Sequence, residues 1–252
     1  MKLFHNDIIE YTVQLIIFMG FRVSCQPLND KYLTHYWPIT NGQMTDIIGN
    51  ADMTQGNLTS FINDRFGSPN SALNLNGGWT QVPNGIYFNT NAFTISAWVF
   101  PQQVGSWARL IDFGNGQTEA NIYVSLDSGN DKRSAFLIWI GAWTAIMSPW
   151  PGMKQNQWTL LTATFNGSTM SLYINSVLVN SGLNLVLVPT LSRSNCFIGK
   201  SNSANDGFSS SYLDDLRFYN KSLTQVEILE LMNQNETTGK ESFFRRKIET
   251  LI

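Results

Sequence analysis

The stretch FTISAWVFP, Phe93 to Pro101, limits the possible folds more than any other. In an extended strand Phe93, Ile95, Ala97 and Val99 point to one face, and Thr94, Ser96, Trp98 and Phe100 to the other. Both faces carry apolar residues, as in a strand covered on both sides. Other short runs follow: SWARLIDFGNG, NIYVSLDSGNDKRSAFLIWI and QWTLLTATFNGSTMSLYINSVLVNSG. Gly, Asn and Asp close each of them. Asn166-Gly167, set between two alternating runs, predicts a tight type I′ hairpin. No helical pattern occurs before residue 222. Short strands at regular spacing, with no internal repeat and no second domain, predict an all-β sandwich or barrel. One short helix closes the pattern. Thr224 is its N-cap, Glu227 completes a capping box, and Leu223 and Ile228 are placed for a hydrophobic staple. Val226, Leu229 and Met232 recur on one face of that helix.

Composition narrows the function. Charged residues make up 13% of the chain, against about 25% in an average soluble protein. The net charge of −2 supplies no basic field for nucleic acid. Two cysteines, Cys25 and Cys196, exclude a disulfide framework and a Cys-rich zinc site. Cys25 reads as part of a targeting segment and Cys196 as a buried, inert thiol. Tyr11 to Phe21 is mostly apolar but shorter than the roughly 20 residues a membrane span needs. It fits the apolar region of a secretory leader, with Val23 and Cys25 at the cleavage positions, although Asp7 and Glu10 depart from the usual basic start. Residues 1–25 therefore read as a signal peptide, 32–234 as one domain and 235–252 as a polar tail. Asn57, Asn166, Asn220 and Asn235 each begin an N-x-[ST] glycosylation triplet. Leader and triplets together predict an extracellular, secreted product with no transmembrane segment in the mature chain.

From Tyr36 to Leu231 the chain resembles the laminin G-like jelly-roll family, within the concanavalin A-like lectin and glucanase superfamily. Four blocks carry the resemblance in the family's order. They are ALNLNGGWTQVP, FTISAWVFP, QWTLLTATFNGSTMSLYINSVLV, and FIGKS followed by YLDDLRFYNKSLTQVEILEL. The resemblance implies an antiparallel two-sheet jelly-roll sandwich with one short C-terminal helix. Ser176 stands where the family's hairpin has Gly, so a different loop is expected there. Ser209-Ser210-Ser211 replaces a common Gly before YLDD, which implies an altered approach to the last strand. Trp98 and Trp158 match positions that the family ordinarily buries in its core. In related jelly rolls an acid at the position of Asp214 holds a structural calcium. The resemblance thus makes Asp214 a candidate Ca²⁺ ligand, with Asp46 as a plausible second. Asp215 reads as a hydrogen-bond or ion-pair partner.

The superfamily includes glycosidases, and such chemistry needs two carboxylates over one cleft. No alternating acid pair exists here. Adjacent Asp214 and Asp215 point to opposite faces of a regular strand. A histidine base is also wanting: outside the leader only His35 occurs, read as an exposed or edge residue before the first strand. The expectation is a non-catalytic module that binds glycan or an extracellular protein surface. A purely structural or adhesive domain is the alternative, and a glycoside hydrolase the remote one. Lectin sites set an aromatic ring against an apolar sugar face. Trp107, Trp139, Trp143 and Trp150 are the candidates, with Trp143 and Trp150 near Gly and Pro, where a rim would expose them.

Overall fold

In the computed structural model, residues 31–88, 91–129, 131–184 and 187–234 are described. Residues 1–30, which include Cys25, and 235–252, which include Asn235, lie outside the described residues. Fifteen strands form among them. These are β1 (Leu33–Trp37), β2 (Thr54–Asn57), β3 (Ser60–Ile62), β4 (Ala72–Asn74), β5 (Trp79–Gln81), β6 (Phe93–Val104), β7 (Arg109–Gly114) and β8 (Ile122–Ser125). They continue as β9 (Ala135–Trp139), β10 (Trp143–Met147), β11 (Thr159–Phe165), β12 (Thr169–Ile174), β13 (Val177–Leu183), β14 (Asn195–Ile198) and β15 (Ser209–Tyr219). One helix, α1 (Gln225–Met232), ends the order.

The strands build two antiparallel sheets. One runs β13-β12-β11-β6-β15-β4-β3, with β1 also on β15; the other runs β10-β9-β8-β7-β14-β5-β2. The two-residue periodicity of β6 sets the core. Phe93, Ile95, Ala97 and Val99 enter the apolar layer between the sheets with Leu161, Ala163 and Phe165 of β11, Phe136 and Ile138 of β9, and Trp37. Thr94 and Ser96 are also fully buried, on the outer face of the same strand. Ser96 bonds Thr162 at 2.8 Å, and Thr94 donates to Lys221 O and accepts from Leu223 N. The outer face of β6 is therefore tied to the entry of α1.

Helix α1 carries the capping box between Thr224 and Glu227, and both staple residues are buried. Its buried face is a correction. Ile228 and Leu231 point inward, while Val226 and Leu229 are exposed. The staple fixes the entry angle, and that turns the 228/231 side to the protein.

Two hairpins also differ from expectation. After β11, Gly167 alone takes positive φ, at 96°, and the loop is longer than a type I′ turn. Asn166 Oδ1 accepts from the N–H groups of Ser168 and Thr169 and shapes it. At the next hairpin Asn175 (φ 49°) and Ser176 (φ 63°) both adopt the left-handed conformation, so the two-residue turn forms without glycine. Asn175 Oδ1 fixes it by accepting from Leu160 N at 2.9 Å.

Strand β15 pairs with β4 through Tyr212 and Leu213, then with β1 from Leu216 to Tyr219. Between these partners the register against β6 shifts, and Asp215 sits at φ 54°. The register shifts a second time at Ser210/Ser211, where the serine run enters the strand. On the opposite side of the sandwich, edge strands β10 and β13 are cross-braced. Asn180 donates to Met147 O at 2.7 Å, and Thr144 donates to Asn184 at 3.1 Å.

Candidate functional site

The acids come first. The left-handed residue at Asp215 breaks the alternation of the strand, so Asp214 and Asp215 do not diverge as a regular strand would require. Arg65 meets both, Nη1 at 2.6 Å from Asp214 and Nη2 at 2.7 Å from Asp215. Arg217 and the Tyr36 hydroxyl also donate to Asp215. Burial is the largest influence on the Tyr36 phenol and pushes its pKa well above the usual value. The pair of carboxylates is thus buried and bridged by one guanidinium.

Asp46 has a different task. Its oxygens accept from the backbone N–H groups of Tyr36, Ile48, Gly49 and Ala51, and from His35 at 2.7 Å. Burial alone would raise its carboxyl pKa, but these bonds prevail and hold it below the ordinary range. His35 lies in β1, not before it; that strand pairs with β15 alone and so is an edge, but the side chain is not exposed. Its ring stacks on Trp37 at 5.5 Å and leans on Tyr87 at 4.9 Å, and its side chain is only 13% exposed. No Ser, Thr or Cys hydroxyl or thiol is bonded to it among the described residues. Both candidate calcium ligands have other partners in this structure. Asp46 is spent on N–H groups, and Asp214 already faces a cation in Arg65. Among the described residues no group of three or more His, Cys, Asp or Glu is placed to hold a metal ion.

The four candidate tryptophans separate into two places. Trp139 of β9 and Trp143 of β10 are direct cross-strand partners. Such partners hold their Cβ atoms about 5 Å apart. Ile138 and Ile146 of the same hairpin enter the core, so Trp139 and Trp143 face outward. Trp143 is 57% exposed and Trp139 half-buried. The register continues from Ala145 to Leu137 and Tyr123. Tyr123, the partner of Leu137, is half-buried on the same face of the sheet, with the Arg109 guanidinium 4.0 Å from its ring centroid. Burial raises its phenol to about 12. Arg109 is fixed by Ser125 and Asp206, and Asp112 by Asn121 and Asn202. The outer face of the seven-stranded sheet thus offers an aromatic step backed by a rigid polar floor.

Trp107 and Trp150 lie at the other end of this hairpin. Trp107 is half-buried at φ 58°, against Gly129 of the β8–β9 loop. Trp150 follows β10 and is 72% exposed. The strand alone separates it from Trp143 by about 13 Å.

Trp98 and Trp158 are not in the core between the sheets, contrary to expectation. Trp98 faces Arg65 on the outer side of β6, and Trp158 packs on Phe100 and Tyr212. Trp37 fills the core instead, with its Nε1 donating to Ala51 O at 2.8 Å. The stack of Phe100 on Tyr212, 5.1 Å apart, also escaped the sequence reading. Tyr212 immediately precedes Leu213-Asp214, and alternation in β15 was its only signal. Asn57 and Asn166 are exposed and Asn220 half-buried. Cys196 is fully buried, and burial raises its thiol to about 12.

The two facing antiparallel sheets define a jelly-roll sandwich. The chain belongs to the concanavalin A-like lectin/glucanases superfamily, whose laminin G-type family model matches residues 74–229. No curated protein matches the sequence. Among solved structures, domain 4 of AbnA, a GH43 extracellular arabinanase from Geobacillus stearothermophilus, was determined with arabinotriose. It is 24% identical at a TM-score of 0.66, over 80% of this chain and 98% of that one. The binding domain of Paraclostridial mosquitocidal protein 1 is 17% identical at a TM-score of 0.63, over 80% of this chain and 52% of that one. A structure of botulinum neurotoxin type C, whose cell entry depends on two ganglioside molecules, is 18% identical at 0.62, over 80% and 51%. The chain spans about half the length of these toxin domains. At such identities the likeness is one of fold.

Proposed function

We propose that this chain is a secreted, non-catalytic module that binds glycan on the outer face of the seven-stranded sheet. One observation carries the reading. The register of β9 and β10 sets Trp143 opposite Trp139 on the solvent side, on the same sheet face as Tyr123 and its fixed polar floor. Rigid aromatic surface with hydrogen-bonding groups at its rim is what a sugar ring's apolar face and hydroxyls require. Fold neighbours determined with arabinotriose or described with gangliosides support it. The buried, guanidinium-bridged carboxylates favour a role without bond cleavage. The apolar leader and the N-x-[ST] triplets favour secretion. Among the described residues no helix is long and apolar enough to cross a membrane.

A glycan array probed with the wild type and with Trp143→Ala tests the reading. Trp143 is exposed, so the variant keeps its fold, and its array signal is expected to fall about tenfold. Absence of any sugar signal, or an undiminished signal in Trp139→Ala/Trp143→Ala, overturns it. A protein-docking role is the second reading. Leu183, next to Asn184 and its bond from Thr144, is 70% exposed, and Leu187 is 69% exposed. A purified extracellular partner that loses binding on Leu183→Asp, with a blank glycan array, selects that reading.

A further inference from the structure

A cavity of about 140 Å³ opens at the end of the β9–β10 hairpin away from Trp139 and Trp143. Both sheets contribute to it. Val104 comes from the end of β6, Leu126, Asp127 and Lys132 from the β8–β9 loop, and Met153 and Gln155 from the connection after β10. Leu126, Asp127 and Met153 are buried. Asp131 of the same loop is taken by Arg133 and Ser128. Lys132 makes no ion pair among the described residues. Lys132 in its wall holds positive φ, 60°, as does Trp107, 58°, which lies against Gly129 of the same loop. Left-handed non-glycine residues of this kind gather where ligands are clamped.

The volume is well under the roughly 300–1,000 Å³ of sites that engulf a whole ligand. The cavity therefore fits one substituent of a sugar, with the ring left outside. Its walls offer an apolar patch, one carboxylate, one ammonium and one amide. An acetamido group offers the complementary set: a methyl, one N–H donor and one carbonyl acceptor. The methyl would lie on Val104, Leu126 and Met153, and the carbonyl would accept from Lys132 or Gln155. A hydroxyl at the same place forfeits the methyl contacts. A free amine brings a second cation beside Lys132.

We propose that this cavity is a selectivity pocket for the acetamido group of N-acetylated hexosamines. The proposal rests on the glycan reading for the remainder of the sugar, and the fit of the acetamido group is independent of it. Methyl-resolved NMR of the full chain, titrated with N-acetylglucosamine, glucosamine, glucose and N-methylacetamide, tests it. The acetylated probe and N-methylacetamide are expected to shift the Met153 and Leu126 methyl signals, and glucose and glucosamine to leave them in place. Filling the cavity with Val104→Phe is expected to weaken the N-acetylglucosamine response by about tenfold. Lys132→Gly removes the ammonium while suiting the local backbone, and a response weakened by about threefold is expected. Equal responses to N-acetylglucosamine and glucosamine overturn the proposal. So do silent Met153 and Leu126 signals, or full response in both variants. A blank glycan array with a persistent N-methylacetamide shift defeats the glycan reading and leaves the acetamide pocket standing.

Discussion

Arg65 donates to Asp214 at 2.6 Å across 149 residues of sequence. The same guanidinium reaches Asp215 with its other nitrogen, in the planar fork geometry that lysine cannot supply. Arg65→Ala leaves two buried carboxylates without their shared cation. A loss of about 3–5 kcal/mol is expected in denaturant unfolding. Arg65→Lys is expected to recover part of it. Stability of Arg65→Ala within about 1 kcal/mol of wild type refutes the structural role of the bridge.

The same bridge bears on metal. With a guanidinium on Asp214 and five hydrogen bonds on Asp46, thermal midpoints in calcium and in EDTA are expected to coincide. A rise in midpoint with calcium that disappears in Asp214→Ala restores the metal site.

Asp46 contributes a pH dependence of known sign. Its folded-state pKa lies below the ordinary 3.8, because bonds from His35, Gly49 and Tyr36 outweigh burial. Its stabilisation is complete above that ordinary value and is lost as pH falls through the lower folded value. Asp46→Asn is expected to cost about 1–3 kcal/mol at neutral pH, and the gap to wild type is expected to narrow in acid below pH 3.8. A gap that stays constant down to unfolding contradicts the assignment.

Ser176 carries a left-handed backbone that glycine adopts freely. Ser176→Gly is expected to stabilise by about 1 kcal/mol, or roughly 2–4 °C in midpoint. A lower midpoint shows that the serine side chain, which is buried, contributes more than the strain costs.

Much of the scaffold was legible because it follows local rules. In β6 the period of two predicted which side chains enter the core, and T-x-x-E predicted the cap of α1. The faces of Asp214 and Asp215 were misjudged because alternation fails where one residue turns left-handed. Asp is among the few residues that do so readily, and that was the available signal. Arg65 sits in a turn with no periodicity, and nothing local ties it to a strand 149 positions away. Trp139 and Trp143 were legible as types, but their pairing needed the hairpin register. Trp107 and Trp150 fell apart from them because β10 holds the two ends of its hairpin at a distance.

The passage of β15 from one neighbour to another has a practical consequence for anyone cutting the gene. A fragment that starts at residue 74, where the family model's match begins, removes β1 and Arg65 together. The last strand then presents naked backbone to the solvent over its second half, and two carboxylates lose their shield. Such a fragment is a candidate for inclusion bodies, whereas an expression boundary near residue 31 keeps the closing strand paired.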